Sequence, residues 1–242
     1  MWTILKKEIR SFLSSLIAYM VMLVFLIAVG LFLWILKGYT VFDLGVAGMD
    51  VLFQFAPLLF IFLVSAITMR SFAEEKRLGT LETLTTHPIS DWGIILGKFF
   101  AALALVFFAL LPTLVYVYTI WVLGDPRGNL DTGATLGSYT GLLLLGAAFV
   151  SMGLFASVWA DNQIVALITG MALCFVFYQL LGMLGDMPSL PLLSNILEWL
   201  TLDFHYRSIS RGVLDTRDII YFSSFTGLFL YFTKLKFSSR KW

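Results

Sequence analysis

Charge is what this chain has least of. Asp, Glu, Lys and Arg make up 13% of its 242 residues while apolar types make up 60%, against about a quarter charged in soluble domains. With a mean hydropathy of +0.92, a water-soluble fold is excluded. The formal net charge is only +1, so there is no basic stripe to neutralise nucleic-acid phosphates. Cysteine occurs once, as Cys174 inside an apolar run, which rules out a disulfide framework or thiolate metal site and leaves packing as its role. Neither His-Glu-x-x-His nor Gly-x-Ser-x-Gly occurs, and His87 and His205 fall on opposite faces of the topology derived below. Metalloenzyme and serine-hydrolase chemistry therefore lack their residues. The nearest approach to a phosphate-binding loop, Gly93-Ile94-Ile95-Leu96-Gly97-Lys98, has the wrong spacing and no hydroxyl after the lysine. The chain alone is not expected to be an enzyme or to bind a cofactor or metal.

What it has in abundance is uncharged apolar runs long enough to cross a bilayer, which takes roughly 17 to 25 helical residues. Six spans are expected, at about residues 16–36, 51–69, 94–123, 136–159, 163–184 and 219–235. The last is marginal: Asp218 and Lys234 enclose only fifteen uncharged residues, so Lys234 and Lys236 must snorkel. Pro57 and Pro112 lie inside the second and third spans and predict local kinks, because neighbouring helices can satisfy the freed carbonyls. No span carries a charge in its middle, which argues against a proton- or ion-coupled carrier. Gly141, Gly146 and Gly153 in span four permit close helix packing, while Phe107, Phe108, Tyr116 and Tyr118 in span three face lipid or neighbouring helices.

Ahead of the first span, residues 1–15 place Trp2, Leu5, Ile9, Phe12 and Leu13 on one helical face, with Lys6, Lys7 and Arg10 elsewhere. That is an amino-terminal interfacial helix. The uncharged run from Ser11 to Leu36 is too long for a signal-peptide core, so the segment should stay attached as a signal anchor. The expected fold class is an all-α polytopic membrane protein, one transmembrane domain over residues 1–242.

Six spans put both termini on one side. Lys6, Lys7, Arg10, Arg70, Lys76, Arg77, Lys98, Lys234, Lys236, Arg240 and Lys241 fall on that side, against Lys37, Arg127, Arg207, Arg211 and Arg217 on the other. The excess faces the cytoplasm by the positive-inside rule.

The connection from Arg70 to Lys98 is charged, punctuated and short. Gly79 sits where a helix continuing from span two would stop, with Lys76 and Arg77 in its last turn. Thr80 can cap a second, short helix with Glu82 in its first turn, and Leu81 and Leu84 share a face. His87-Pro88 ends it, and Ser90 or Asp91 caps the next span. The result is a helical stub at the membrane surface. Its shape suits docking into a groove on another protein, and equally an amphipathic turn among lipid headgroups. Glu74 and Glu75 are either solvated charges at a helix end or a salt-bridge latch to the stub or the amino-terminal helix.

Glu75, Gly79-Thr80, Glu82, Leu84, Pro88 and Gly97-Lys98 together resemble the first cytoplasmic loop of ABC-2 type permeases, membrane subunits of certain ATP-binding cassette transporters. Among these the pattern is most similar to the permease associated with bacterial gliding motility. The likeness extends to the span layout and to Arg211-Gly212-Val213-Leu214-Asp215 with Arg217-Asp218. It implies that the stub is a coupling helix docking on a separate ATPase, with Glu74, Glu75, Gly79, Thr80, Leu81, Glu82, Thr83, Leu84, Thr85 and Pro88 as docking or coupling residues. It also implies ATP and Mg on that partner, a second permease or membrane subunit, and a place in the bacterial inner membrane. A partner with a large extracytoplasmic domain is also compatible with it. The latch reading of Glu74 and Glu75 is favoured on the same ground. Export or mechanical signalling would be the output. A non-transporting scaffold that links a cytoplasmic ATPase to a periplasmic protein is the alternative from another class.

Residues 185–218 form the largest external piece. Pro188 and Pro191 open it, and Leu192, Leu193, Ile196, Leu197 and Leu200 recur at helical spacing. Short amphipathic helices in the outer leaflet are expected, Gly212 stopping the second and Asp215 or Thr216 capping span six. A lid on an exit path, a partner site or a plain interfacial anchor would each fit.

Overall fold

The computed structural model describes residues 1–45, 47–80, 90–185, 191–213 and 215–239. Every regular element among them is helical. Five helices are long and apolar enough to cross a membrane: Leu16–Trp34, Asp50–Arg77, Asp91–Leu123, Thr132–Trp159 and Gln163–Gly185. In chain order, α1 is Trp2–Leu13, α2 Leu16–Trp34, α3 Val41–Leu44 and α4 Asp50–Thr68. The short α5, Ala73–Arg77, extends the α4 end. The third span is α6 (Asp91–Leu110) and α7 (Leu114–Leu123), joined by a 3-10 turn at Leu111–Thr113. Then come α8 (Thr132–Trp159) and α9 (Gln163–Phe175), the latter running through a π segment, Val176–Leu180, into α10 (Leu181–Gly185). Two short helices, α11 (Pro191–Trp199) and α12 (Leu202–Ser210), precede α13 (Thr216–Ser238). Helix α13 has 23 residues but is not among the five; its central apolar stretch is bounded by the charges that made this span marginal.

The element ends follow their sequence signals. Ser90 caps α6 by accepting from the Gly93 amide, and Asp215 caps α13 by accepting from Arg217. Gly79 and Gly212 take positive φ angles of 69° and 86°, the left-handed conformation that lets the chain leave a helix. Helix α4 runs unbroken through Pro57, whereas the 3-10 turn of the third span holds Pro112. Leu81, Glu82, Thr83, Leu84, Thr85 and Pro88, with His87 and Pro188, lie outside the described residues.

Helix α8 is the hub, packed against α4, α6, α9, α12 and α13. Its small residues explain how so many neighbours approach. A Cβ on Gly137 would lie 2.8 Å from the Ile209 carbonyl oxygen of α12, and one on Gly146 would lie 3.0 Å from Val106 of α6. At Gly153 a Cβ would overlap Thr68 of α4, meeting its Cβ at 2.9 Å. Without a hydrophobic drive between helices in lipid, such close packing holds the bundle together. Phe107, Phe108 and Tyr118 face outward, while Tyr116 turns onto α2 and donates to the Leu26 carbonyl at 3.3 Å. Cys174 is fully buried.

At the end of the bundle away from Lys98, α12 is stitched down by polar contacts. Tyr206 donates to the Phe53 carbonyl at 2.9 Å, and buried His205 meets Asp218 of α13 at 2.7 Å and the Trp199 carbonyl at 3.1 Å. The Tyr221 ring stacks on His205 at 3.8 Å.

Replacing Gly153 by Val should destabilise the protein by roughly 1–3 kcal/mol through overpacking. Gly227→Ala on α13, where nothing lies within 4 Å, should leave the melting temperature in detergent unchanged or slightly raised.

Candidate functional site

The residues on either side of positions 81–89 meet at one end of the bundle, around Lys98. This lysine lies two turns inside α6 and only 1% of its side chain is exposed. An ammonium has three protons to place, and each has an acceptor. Glu8 Oε1 is at 2.9 Å, the Ser71 carbonyl at 2.6 Å and Glu75 Oε1 at 3.0 Å. The Phe72 ring lies beneath it, 5.0 Å away. Glu75 Oε1 also accepts from Lys7 at 2.9 Å. The four side chains, two ammoniums and two carboxylates, are thus mutually neutralised, as burial demands.

Burial works against the Lys7 charge, but the Glu75 hydrogen bond and the charges of Glu75 and Glu8 outweigh it and hold its pKa above the ordinary lysine value. The stabilisation is therefore fully present below the ordinary value and is lost only as pH rises through the raised one. The pairing persists throughout the neutral range.

Helix α5, which leads to the stub, is held from a third side by α8. Ser157 Oγ accepts from the Phe72 and Ala73 amides at 3.0 and 3.1 Å and reaches the Met69 carbonyl at 3.2 Å. Lys76 donates to the Val158 carbonyl at 2.5 Å and the Ala160 carbonyl at 3.4 Å, carbonyls at the end of α8. Arg70 reaches Ser15 at 2.9 Å, and Glu74 stands 3.9 Å from Arg70. So the chain entering residue 81 is fastened to α1, α6 and α8. Thr80, which bonds the Glu75 carbonyl at 3.4 Å, edges a cavity of about 400 Å³ that Lys7, Glu8, Glu74 and Glu75 also line.

One sequence expectation needs correction here. Lys98 is not a loop cation but a buried one; the signal was its position inside an apolar run, which requires acids within reach. On α1, Ile4 is buried and Leu5, Glu8, Ile9 and Phe12 are half-buried, while Trp2 is 63% exposed and Leu13 is also exposed. Ile4 seats on Gly97, where an added Cβ would lie 3.0 Å from it, and Glu8, one turn on, is drawn to Lys98. Glu75 pairs with the amino-terminal helix, whereas Glu74 pairs, among the described residues, with Arg70. Ser157 carried no sequence signal: its role depends on a neighbour more than 80 residues away.

Lys98→Met leaves two carboxylates facing each other and should cost about 3–5 kcal/mol. Adding Glu75→Gln should recover part of the loss, read as melting temperature in detergent.

Among the described residues this end assembles ion pairs and helix-end hydrogen bonds, an arrangement that can hold and transmit position. Compared with known proteins, the chain is 26% identical over 150 residues to the probable multidrug ABC transporter permease YbhR of Escherichia coli K12, and equally to that of Escherichia coli O157:H7. The aligned stretch is 62% of this chain and 39% of the relative, so it spans well under half of those proteins. Residues 49–204, well over half of the chain and inclusive of α4, α5, α6 and α8, match the ABC-2 family transporter proteins, and the chain belongs to that family.

Proposed function

We propose that the chain is the membrane permease subunit of an ATP-binding cassette transporter in the bacterial inner membrane, driven by a separate ATPase. Residues 81–85, with Glu74, Glu75, Gly79, Thr80 and Pro88 beside them, form the docking element. ATP and Mg bind on the partner, whose closure displaces the stub. The observation that carries this reading is the three-sided fastening of α5 to α1, α6 and α8 through Glu75, Ser157 and Lys76. With α5 so anchored, a push on the stub that follows it is passed to α4 and α6 rather than absorbed by α5 swivelling.

In this reading α13 is a sixth span. Its 23 residues rise about 34 Å at 1.5 Å each, enough for a core of about 30 Å. Lys234 and Lys236 snorkel onto the Trp92 and Trp159 rings, at 5.5 and 4.1 Å, and both termini are cytoplasmic. The pathway forms with a second permease. The name of the Escherichia coli relatives favours export of small amphiphilic compounds. The loop motif and the Arg211–Asp218 segment favour mechanical signalling of the gliding-motility kind, and the scaffold between ATPase and periplasmic partner belongs to this second reading.

Leu84→Asp combined with Glu82→Arg should abolish co-purification of the ATPase subunit while the permease stays folded; intact association would refute the docking assignment. In reconstituted vesicles, ATPase activity should rise with an exported amphiphile under the first reading, and only with an external protein under the second.

A further inference from the structure

Away from the Lys98 cluster, α8 and α9 leave between them an apolar groove of about 430 Å³, lined by Phe155, Ala156 and Trp159 on one side and by Val165, Ala172 and Val176 on the other. Thr169, the hydroxyl in its wall, is already spent on the Val165 carbonyl at 2.6 Å, so the groove offers nothing to a polar ligand. From Val165 to Val176 it rises about 16 Å at 1.5 Å per residue, about half of a bilayer's ~30 Å hydrocarbon core. It is one leaflet deep.

Its mouth is cationic. Lys236 lies over the Trp159 ring at 4.1 Å. Lys76 sits on the carbonyls of Val158 and Ala160, and Ala160 itself lines the groove. The two ammoniums repel each other. Opposing charge is sparse: Asp161 is 4.0 Å from Lys76 with its side chain 98% exposed, and among the described residues no carboxylate pairs with Lys236. Lys7 and Lys98, by contrast, are balanced by acids within the protein.

We propose that this groove and its two lysines bind an anionic phospholipid, the acyl chain lying between α8 and α9 and the headgroup phosphate bridging Lys76 and Lys236. Basic pockets between membrane helices suit such headgroups, and an exposed tryptophan at the mouth suits the headgroup level. That the lipid belongs to the cytoplasmic leaflet rests on the orientation proposed above; the site itself does not. Because Lys76 belongs to α5, the bound headgroup would fix α5 from the lipid side.

The test is native mass spectrometry of the full chain in mild detergent with phosphatidylglycerol or phosphatidylcholine of identical acyl chains. Wild type should retain phosphatidylglycerol at least tenfold better. Lys236→Gln, which leaves the α5 anchoring untouched, should lower that preference several-fold, and Lys76→Gln with Lys236→Gln should erase it. Ala172→Trp should expel both lipids. Lys234→Gln, whose ammonium lies over Trp92 instead, should behave as wild type. Equal retention of the two lipids, or equal loss from Lys234→Gln and Lys236→Gln, would overturn the proposal. So would dissociation of dimers by Ala172→Trp without lipid loss, which would mean that a second copy fills the groove. ATPase association is read separately, so failure here would leave the permease reading standing.

Discussion

A lysine cannot be buried among apolar helices unless its charge and its three protons are all answered nearby, and Lys98 imposes that demand on this protein. Its answer draws in three separate pieces of chain: Glu8 from α1, the Ser71 carbonyl from the end of the second span, and Glu75 from α5. Because the ions are removed from water, loss of one partner costs far more than the pair contributes when complete. The cluster therefore specifies position more than it adds stability. It fixes where α1 lies and how α5 leaves the membrane, and Ser157 and Lys76 then fix α5 against α8.

The two ends of the bundle solve the polar problem differently. At the charged end, ion pairs and helix-end carbonyls hold a short helix in place. At the other, a buried His205–Asp218 pair and the Tyr206 hydroxyl tie α12 to α13 and α4. Between them α8 presents mainly apolar and small residues. Its glycines bring α4, α6 and α12 close enough that a displacement at one helix must be felt at the next, since packed interiors are not continuously deformable.

Much of the fold was legible in the sequence because hydrophobic length is what a bilayer selects. Among the described residues five helices are long and apolar enough to cross a membrane, and the terminators Gly79 and Gly212 and the caps Ser90 and Asp215 act where the local chemistry places them. The sixth span was marginal in the sequence, and α13 is not among the helices long and apolar enough to cross by length and composition. What could not be read was long-range. The seating of Ile4 follows from Gly97, and the burial of Lys98 from acids some 20 and 90 residues away. Ser157 is defined only by the amides it caps. The stub itself, residues 81–88, was read from cap and motif alone and lies outside the described residues.

The central claim is that work enters through that stub. A photo-crosslinking side chain placed at Thr83 in the assembled complex tests it most directly. The account predicts a crosslink to the ATPase subunit whose yield changes when ATP is added. A fully assembled complex in which position 83 crosslinks only to lipid, with or without ATP, would contradict it.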